Sequence, residues 1–220
     1  MKIIVLVLSM DSDVYINLEN TIRETWGSSD ICKIYYYYGG FDNLHLDGDI
    51  IKCVSNEGLY NIGYKTIESF QYLIENEEFD FIFRTNSSSF INIDKMTEFL
   101  SNKPKERFYC GYINILKESQ ILFASGSGYF LSKDVVKLIL ENKDKWNHEF
   151  IDDVSLGLFC RDVLSIDLVQ SKRCDISNVD MEITSDLLNN HFHFRCKTNS
   201  IDRKEDSLIM RKLYDYIKNN

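Results

Sequence analysis

Proline occurs once in these 220 residues, at Pro104, and no stretch is dominated by glycine, serine or proline. That scarcity leaves no flexible or stiff linker to divide the chain. There is no internal repeat or low-complexity segment either, so residues 1–220 read as one domain, long enough to bury a sizeable core. No apolar run approaches the roughly 20 residues that a membrane-spanning helix needs. The nearest candidate, Ile3 to Leu8, has no small-residue cleavage site and is followed at once by Asp11 and Asp13. It reads as a first strand, not a leader. Basic residues are outnumbered, 25 Lys and Arg against 34 Asp and Glu, for a net charge of −9. Such a chain has little long-range attraction for phosphate backbones, which argues against nucleic acid as a partner. The six cysteines lie far apart, with no C-x-x-C pair and no zinc-ligand spacing. With no leader to export them, they read as free thiols, and the expected compartment is cytoplasmic.

What is present describes a globular α/β protein. Apolar residues make up 44% and aromatics 13%, too many for a disordered chain. The richness in Ile, Asn, Lys and Asp points to an AT-rich genome, a large virus or a bacterium; a viral source would mean host cytoplasm. Strand patterns alternate with helical ones: strands at Lys2 to Ser9, Ile31 to Tyr38, Asp49 to Val54 and Arg107 to Leu116; helices from Asp13 to Trp26-Gly27 and from Ile93 to Leu100. Tyr35 to Tyr38 stand in a row, and strand alternation predicts two half-buried tyrosines on each face. Ile67, Phe70, Leu73 and Ile74 recur at helical spacing. Asp134 to Asn142 reads as an amphipathic helix, Val163 to Val169 as a strand, and Glu205 to Lys218 as a charged helix apolar at Leu208, Leu213 and Ile217. His191-Phe192-His193-Phe194-Arg195 alternates like a strand with both histidines on one face.

The organising stretch is Phe79 to Asn92 (FDFIFRTNSSSFIN). An aromatic-rich apolar run stops at Arg84 and gives way to small polar residues, the pattern of a buried parallel strand with a polar end. In open α/β sheets the ligand sits beyond the carboxyl ends of such strands. Asn86 to Ser88 are therefore expected at the floor of a site.

Five blocks carry a resemblance to the β-1,3-galactosyltransferase and Fringe group of glycosyltransferases. Ile22 to Gly27 (IRETWG) resembles that family's IRxTWG, and Leu59 to Thr66 (LYNIGYKT) its YxNLTLKT. Arg84 to Asn92 (RTNSSSFIN) follows KTDDDVFVN, with Asn86-Ser87-Ser88 standing where the family has three aspartates. Phe123 to Ser132 (FASGSGYFLS) resembles CSGxGYVLS, and the Asp152-Asp153 segment (IDDVSLGL) resembles EDVYVGLCL. The blocks keep the family's order over about two thirds of the chain, and His191 to Arg195 is a weaker sixth.

The resemblance implies a GT-A fold, a mixed and mostly parallel sheet between helices. It implies inverting transfer from a nucleotide-sugar donor, UDP-linked in the family, to a glycan or other hydroxyl acceptor. Asp153 matches the family's base, and Asp152 would contact the acceptor or orient its neighbour. A helix N-terminus at these carboxylates would keep the base ionised. Ser9, Arg23, Lys65, Arg84, Asn86, Ser87 and Ser88 are the implied donor-binding residues. Gly126, Ser127 and Gly128 are those for sugar or acceptor, the glycines allowing close approach and unusual backbone angles. Glu19 stands where the family often carries a further arginine, and Trp26 is expected in the core. The family's Mn²⁺ or Mg²⁺ wants carboxylate oxygens, which Asn86-Ser87-Ser88 lack. Either a metal binds weakly through phosphates, neutral oxygens and a histidine (His191 or His193), or Arg84, Lys65, Arg23 or Arg195 replaces it. Metal dependence is expected to be weak or absent. The competing reading is an inactive relative that only binds nucleotide sugar or glycan.

Overall fold

The computed structural model describes residues 1–117 and 120–219. The chain opens with β1 (Ile3–Leu8), α1 (Asp13–Glu24), β2 (Lys33–Tyr38), β3 (His45–Asp47) and β4 (Ile50–Lys52). Next come α2 (Ile62–Asn76), β5 (Phe81–Asn86), β6 (Ser89–Ile91) and α3 (Ile93–Leu100). β7 (Tyr109–Leu116), β8 (Ile121–Ser132), α4 (Lys133–Glu141) and α5 (Asp152–Leu158) follow. The chain ends with β9 (Leu168–Gln170), β10 (Cys174–Asp175), α6 (Ser185–Asn190), β11 (His193–Arg195) and α7 (Lys204–Asn219).

Eight strands form one sheet in the order β3-β4-β2-β1-β5-β8-β7-β9. β1 pairs in parallel with both β2 and β5, whereas β8 runs antiparallel to β5 and β7. The result is the expected α/β architecture of a mixed sheet between helices. Alternation sorts the strand residues onto two faces. Val5, Val7, Tyr36, Tyr38 and Phe83 face α1, α3 and α7, while Ile4, Leu6, Tyr35, Tyr37 and Ile82 face α2, α4 and α5. Each fully buried apolar side chain of this kind contributes about 1.5–3 kcal/mol. Because both faces are covered, all four tyrosines are buried, not half-buried. Trp26 lies in the core as expected, its Nε1 donating to the Ser89 carbonyl at 3.0 Å.

Other expectations need correction. The Val163 to Val169 strand is displaced: residues 159–163 extend the helical turn after α5, and only Leu168–Gln170 pairs. Leu208 faces out, and α7 seats itself with Leu213 as expected and with Ile209 and Met210. His191 and His193 do not share a strand face, because α6 runs to Asn190 and only residues from His193 onward pair with β6. Among the described residues no helix is long and apolar enough to cross a membrane.

The topology decides where a ligand can sit. The chain leaves β1 towards β2 on one side and returns to β5 on the other, a reversal that opens a crevice at the strands' carboxyl ends. Leu8 pairs with Asn86 at that end, so Ser9 and Ser87 leave the sheet side by side. A second, three-stranded sheet, β10-β11-β6, carries the C-terminal part of the chain to the same end.

Gly128 takes part in this packing. Its backbone angles are ordinary, and an added Cβ would lie 2.4 Å from His193 Cε1 and 2.6 Å from Phe83 Cζ. Gly128→Ala should therefore cost about 1–3 kcal/mol by overpacking. Urea unfolding of the variant checks this; unchanged stability would mean that the two rings give way freely.

Candidate active site

A cavity of about 360 Å³ opens at the carboxyl ends of β1 and β5, within the size range of ligand sites. Its floor is Ser9, Asn86, Ser87 and Ser88, as the sequence pattern anticipates. Asn86 Oδ1 accepts from Ser88 N at 3.2 Å and Ser89 Oγ at 3.3 Å, which fixes the turn by a local side-chain bond. Ser87 Oγ is buried without a hydrogen-bond partner among the described residues.

Lys65 reaches the cavity from α2 with a side chain only 1% exposed. Its Nζ donates to Glu57 Oε2 at 2.6 Å and to the Ser9 carbonyl at 3.2 Å. Burial lowers its pKa, and the Glu57 carboxylate works against that shift. Arg195, Lys197 and Arg203 also line the cavity, brought there by β11 and the segment leading to α7. Arg203 adopts a left-handed backbone (φ 56°), a conformation costing a non-glycine residue on the order of 1 kcal/mol. Its side chain donates to the buried Asp206 and to Ser88 Oγ.

Two expected donor contacts are placed elsewhere. Arg84 lies beneath the site, 1% exposed, with its guanidinium committed internally. Nε donates to Tyr37 Oη at 2.9 Å, NH1 to the Gly126 carbonyl, and NH2 to Asp152 Oδ2 at 2.6 Å. Burial opposes its charge, but the neighbouring Asp152 carboxylate and tyrosines more than offset that and push its pKa up. Arg23 stacks over Tyr36 at 4.3 Å and pairs with Asp49 at 2.9 Å, facing a separate groove with Asp11 and Asp47. An arginine already saturated with carboxylates is a poor phosphate ligand.

Asp152 and Asp153 open α5, as read from the sequence, but outside the cavity lining. Asp153 Oδ2 accepts from Gly126 N at 2.7 Å and Oδ1 from Val154 N at 2.9 Å. The expected ionised base at neutral pH is compatible with this setting, but its pKa is not an ordinary aspartate's. Desolvation, reinforced by the charge of Asp152, raises it from 3.8 to about 6 despite those two N–H donors. Asp153 is thus still mainly ionised at neutral pH and far more basic than an exposed aspartate.

Gly126 has no unusual backbone angle; its added Cβ would lie 3.1 Å from Asp153 Oδ2 and 3.2 Å from Arg84 NH1. Its smallness lets the strand approach the carboxylate. Ser127 is buried, its carbonyl accepting from Thr85 Oγ1 at 2.6 Å. Its hydroxyl and that of Ser125 each accept from Arg173 NH1 at 2.7 Å. His193 is buried against Phe83, 3.3 Å from Ser89 Oγ. Burial, with Arg173 and Arg195 nearby, pushes its pKa down to about 3, so it is neutral. His191 lies in a separate cleft with Nδ1 3.0 Å from the Leu187 carbonyl. Sequence reading missed Glu57, Arg173, Lys197 and Arg203. For Lys197 a signal existed, since it follows Arg195 at the period that keeps two extended residues on one face.

The cavity does not fit the divalent ion that the resemblance implies. Its one carboxylate, Glu57, is tied to Lys65, and its other residues are neutral or cationic. Among the described residues no group of three or more His, Cys, Asp or Glu could hold a metal ion.

No protein-family model matches this chain. It is 28% identical over 183 residues to "Beta-1,3-galactosyltransferase 5" of Pan paniscus, covering 67% of this chain and 60% of that protein. It is 26% identical over 205 residues to "UDP-GalNAc:beta-1,3-N-acetylgalactosaminyltransferase 1" of Rattus norvegicus, covering 76% of this chain and 61% of the relative. The chain thus spans about 60% of the length of these curated relatives. Among solved structures, "a glycosyltransferase involved in the glycosylation of the major capsid of PBCV-1" superposes with TM-score 0.58 at 11% identity, covering 96% of this chain and 100% of that one. The galactosyltransferase LgtC, solved with donor and acceptor sugar analogs, follows with TM-score 0.51 at 12% identity and 95% of both chains. The fold is GT-A, and the resemblance carried by the motif blocks is borne out by these relatives.

Two predictions follow from the paired charges. Arg84→Ala strands the Asp152 carboxylate in the interior and should cost about 3–5 kcal/mol of stability in urea unfolding; a loss below about 1 kcal/mol would mean that water replaces the guanidinium. For Asp153 the folded pKa lies above the unfolded one, so its contribution is most favourable below pH 3.8 and is lost as pH rises to about 6. Relative to wild type, Asp153→Asn should gain on the order of 2–3 kcal/mol between pH 4 and pH 6.5 and nothing more above that. A pH-independent difference would remove the raised pKa.

Proposed function

With a GT-A fold and β-1,3-glycosyltransferases among its relatives, we propose that this chain is a glycosyltransferase acting as one catalytic domain. It moves a sugar from a nucleotide-diphosphate donor, UDP-linked, to a hydroxyl of a glycan acceptor, with inversion and without reliance on a divalent metal. The observation that carries this reading is a desolvated, backbone-anchored carboxylate, Asp153 at the start of α5, tied through Gly126 and Asp152 to Arg84 of β5, the strand whose carboxyl end floors the polar cavity.

Asp153 is the base. As the acceptor oxygen attacks the anomeric carbon, its proton passes to the Asp153 carboxylate. The new C–O bond forms on the face opposite the breaking bond, and the nucleoside diphosphate departs with that bond's electrons. Asp152 positions its neighbour: Arg84 holds it at 2.6 Å, and its charge helps to raise the basicity of Asp153. Burial of the same carboxylate keeps water from competing for it, which strengthens its action on the one proton it must take. Ser87 and Ser88 supply hydroxyls to the donor, and Lys65 is fixed at the cavity's edge by Glu57.

A second reading, a relative that binds nucleotide sugar without turnover, is favoured by Asp153 lying outside the cavity lining. Screening UDP-sugars for thermal stabilisation and then for slow hydrolysis separates the two, because stabilisation reports occupancy alone.

For the enzyme, Asp153→Asn should leave donor affinity within about threefold while lowering kcat at least about a hundredfold, the usual scale for a lost general base. The wild-type kcat should rise with pH through about 6, where Asp153 loses its proton, and level off above. Steady-state rates with calorimetric donor binding check both; near wild-type turnover in the variant would take Asp153 out of the reaction.

A further inference from the structure

Resting on the donor reading above, we infer that Arg195, Lys197 and Arg203 form the diphosphate subsite and supply the positive charge that a metal ion supplies elsewhere. All three line the cavity with Ser87 and Ser88.

The cluster is built. Asp206, fully buried, accepts from Arg203 Nε, from Thr198 N at 2.8 Å and from Thr198 Oγ1 at 2.9 Å. One carboxylate therefore pins the segment that follows Lys197 to the first turn of α7. Arg203 adopts its left-handed backbone there, and its NH2 donates to Ser88 Oγ. At the base of the segment Cys196 N donates to the Ser88 carbonyl at 2.7 Å, fixing β11 to the cavity floor.

The cluster also lacks acceptors. Arg195 Nε is buried with no hydrogen-bond partner among the described residues, and so is Ser87 Oγ. Neither Arg195 nor Lys197 forms an ion pair among the described residues. Buried donors without acceptors are costly, so a cavity with a cation and a hydroxyl both unmatched is shaped for a ligand rich in oxygen lone pairs.

The charges narrow the ligand. Glu57 compensates Lys65 and Asp206 compensates Arg203, which leaves Arg195 and Lys197 unbalanced at the cavity. A diphosphate diester carries one negative charge per phosphorus and matches these two cations. Guanidinium groups bind such oxygens in pairs, and Lys adds a point charge. A divalent ion placed there would meet like charges and no free carboxylate.

The test is calorimetry of the full chain with UDP and with inorganic pyrophosphate, in EDTA and again with Mn²⁺. Lys197 is exposed, so Lys197→Gln leaves the fold intact; Arg195→Gln is the second variant, and thermal melts control for folding. The expected result is UDP binding in EDTA that Mn²⁺ improves by less than about tenfold. Each substitution should weaken both UDP and pyrophosphate by about tenfold. UDP binding that requires Mn²⁺, or that is unchanged in both variants, overturns the subsite while leaving the donor reading intact. Pyrophosphate binding that responds to both variants, with no UDP binding, keeps the cation subsite and overturns the donor reading. Binding of neither ligand overturns both.

Discussion

Arg84 and Asp152 face each other at 2.6 Å with side chains 1% and 8% exposed, and four elements meet around them. The guanidinium leaves β5, bonds a β2 tyrosine and the β8 backbone at Gly126, and ends on the first residue of α5. A buried ion pair adds little net stability once both ions are desolvated, although losing one partner is severe. Its use here is geometric. Lysine, a point charge, could not hold three acceptors in fixed directions as the planar fork does. Because Arg84 is spent on Asp152, the adjacent Asp153 lacks a paired cation of its own. Burial and the neighbouring carboxylate then act on it together, and its basicity follows from the pairing next door.

The remaining cations are divided by the same logic. Arg23 is held by Glu19 and Asp49, Lys65 by Glu57, and Arg173 by Asp175. In an acidic chain of net charge −9 each of these cations finds a carboxylate. Arg195 and Lys197 stand out because the cavity they line has none to offer beyond the one Lys65 uses. The second sheet is the cause: β11 pairs antiparallel with β6 just after the polar turn, so the chain's last third is carried to the floor laid down by Asn86 to Ser88. Neutral residues at that floor and cations above it form a consistent pair. Carboxylates there would be neutralised by Arg195 and Lys197 and would leave no charge for a ligand.

Much of the fold was legible because its signals are short-range. The aromatic run before Arg84 became the central strand β5, the apolar positions around Phe70 and Leu73 became the inner face of α2, and Asp152-Asp153 opened a helix as read. The misreadings also have local causes. Tyr35 to Tyr38 look half-buried because alternation reports two faces but not whether both are covered. The alternating run from His191 to Arg195 is a strand only from His193, because α6 ends just before it. Gly126 and Gly128 suggest unusual backbone angles, whereas both sit in ordinary strand geometry and are small because Asp153 and His193 press against them.

By itself the sequence determined the alternation of strands and helices, the polar floor at Asn86 to Ser88 and the placing of two carboxylates at a helix start. Periodicity, small polar turns and helix-start chemistry act over a few residues and can be read there. Only the tertiary structure decided what each charge does. Arg84 meets Asp152 across 68 residues of chain, and Arg203 meets Ser88 across 115. Those meetings depend on strand order and on how a second sheet returns the C-terminal segment. No local pattern encodes them: the sequence offered Arg84, Lys65, Arg23 and Arg195 alike for phosphate, and only the fold shows Arg84 and Arg23 committed to carboxylates while Arg195 lines the cavity with Lys197 and Arg203.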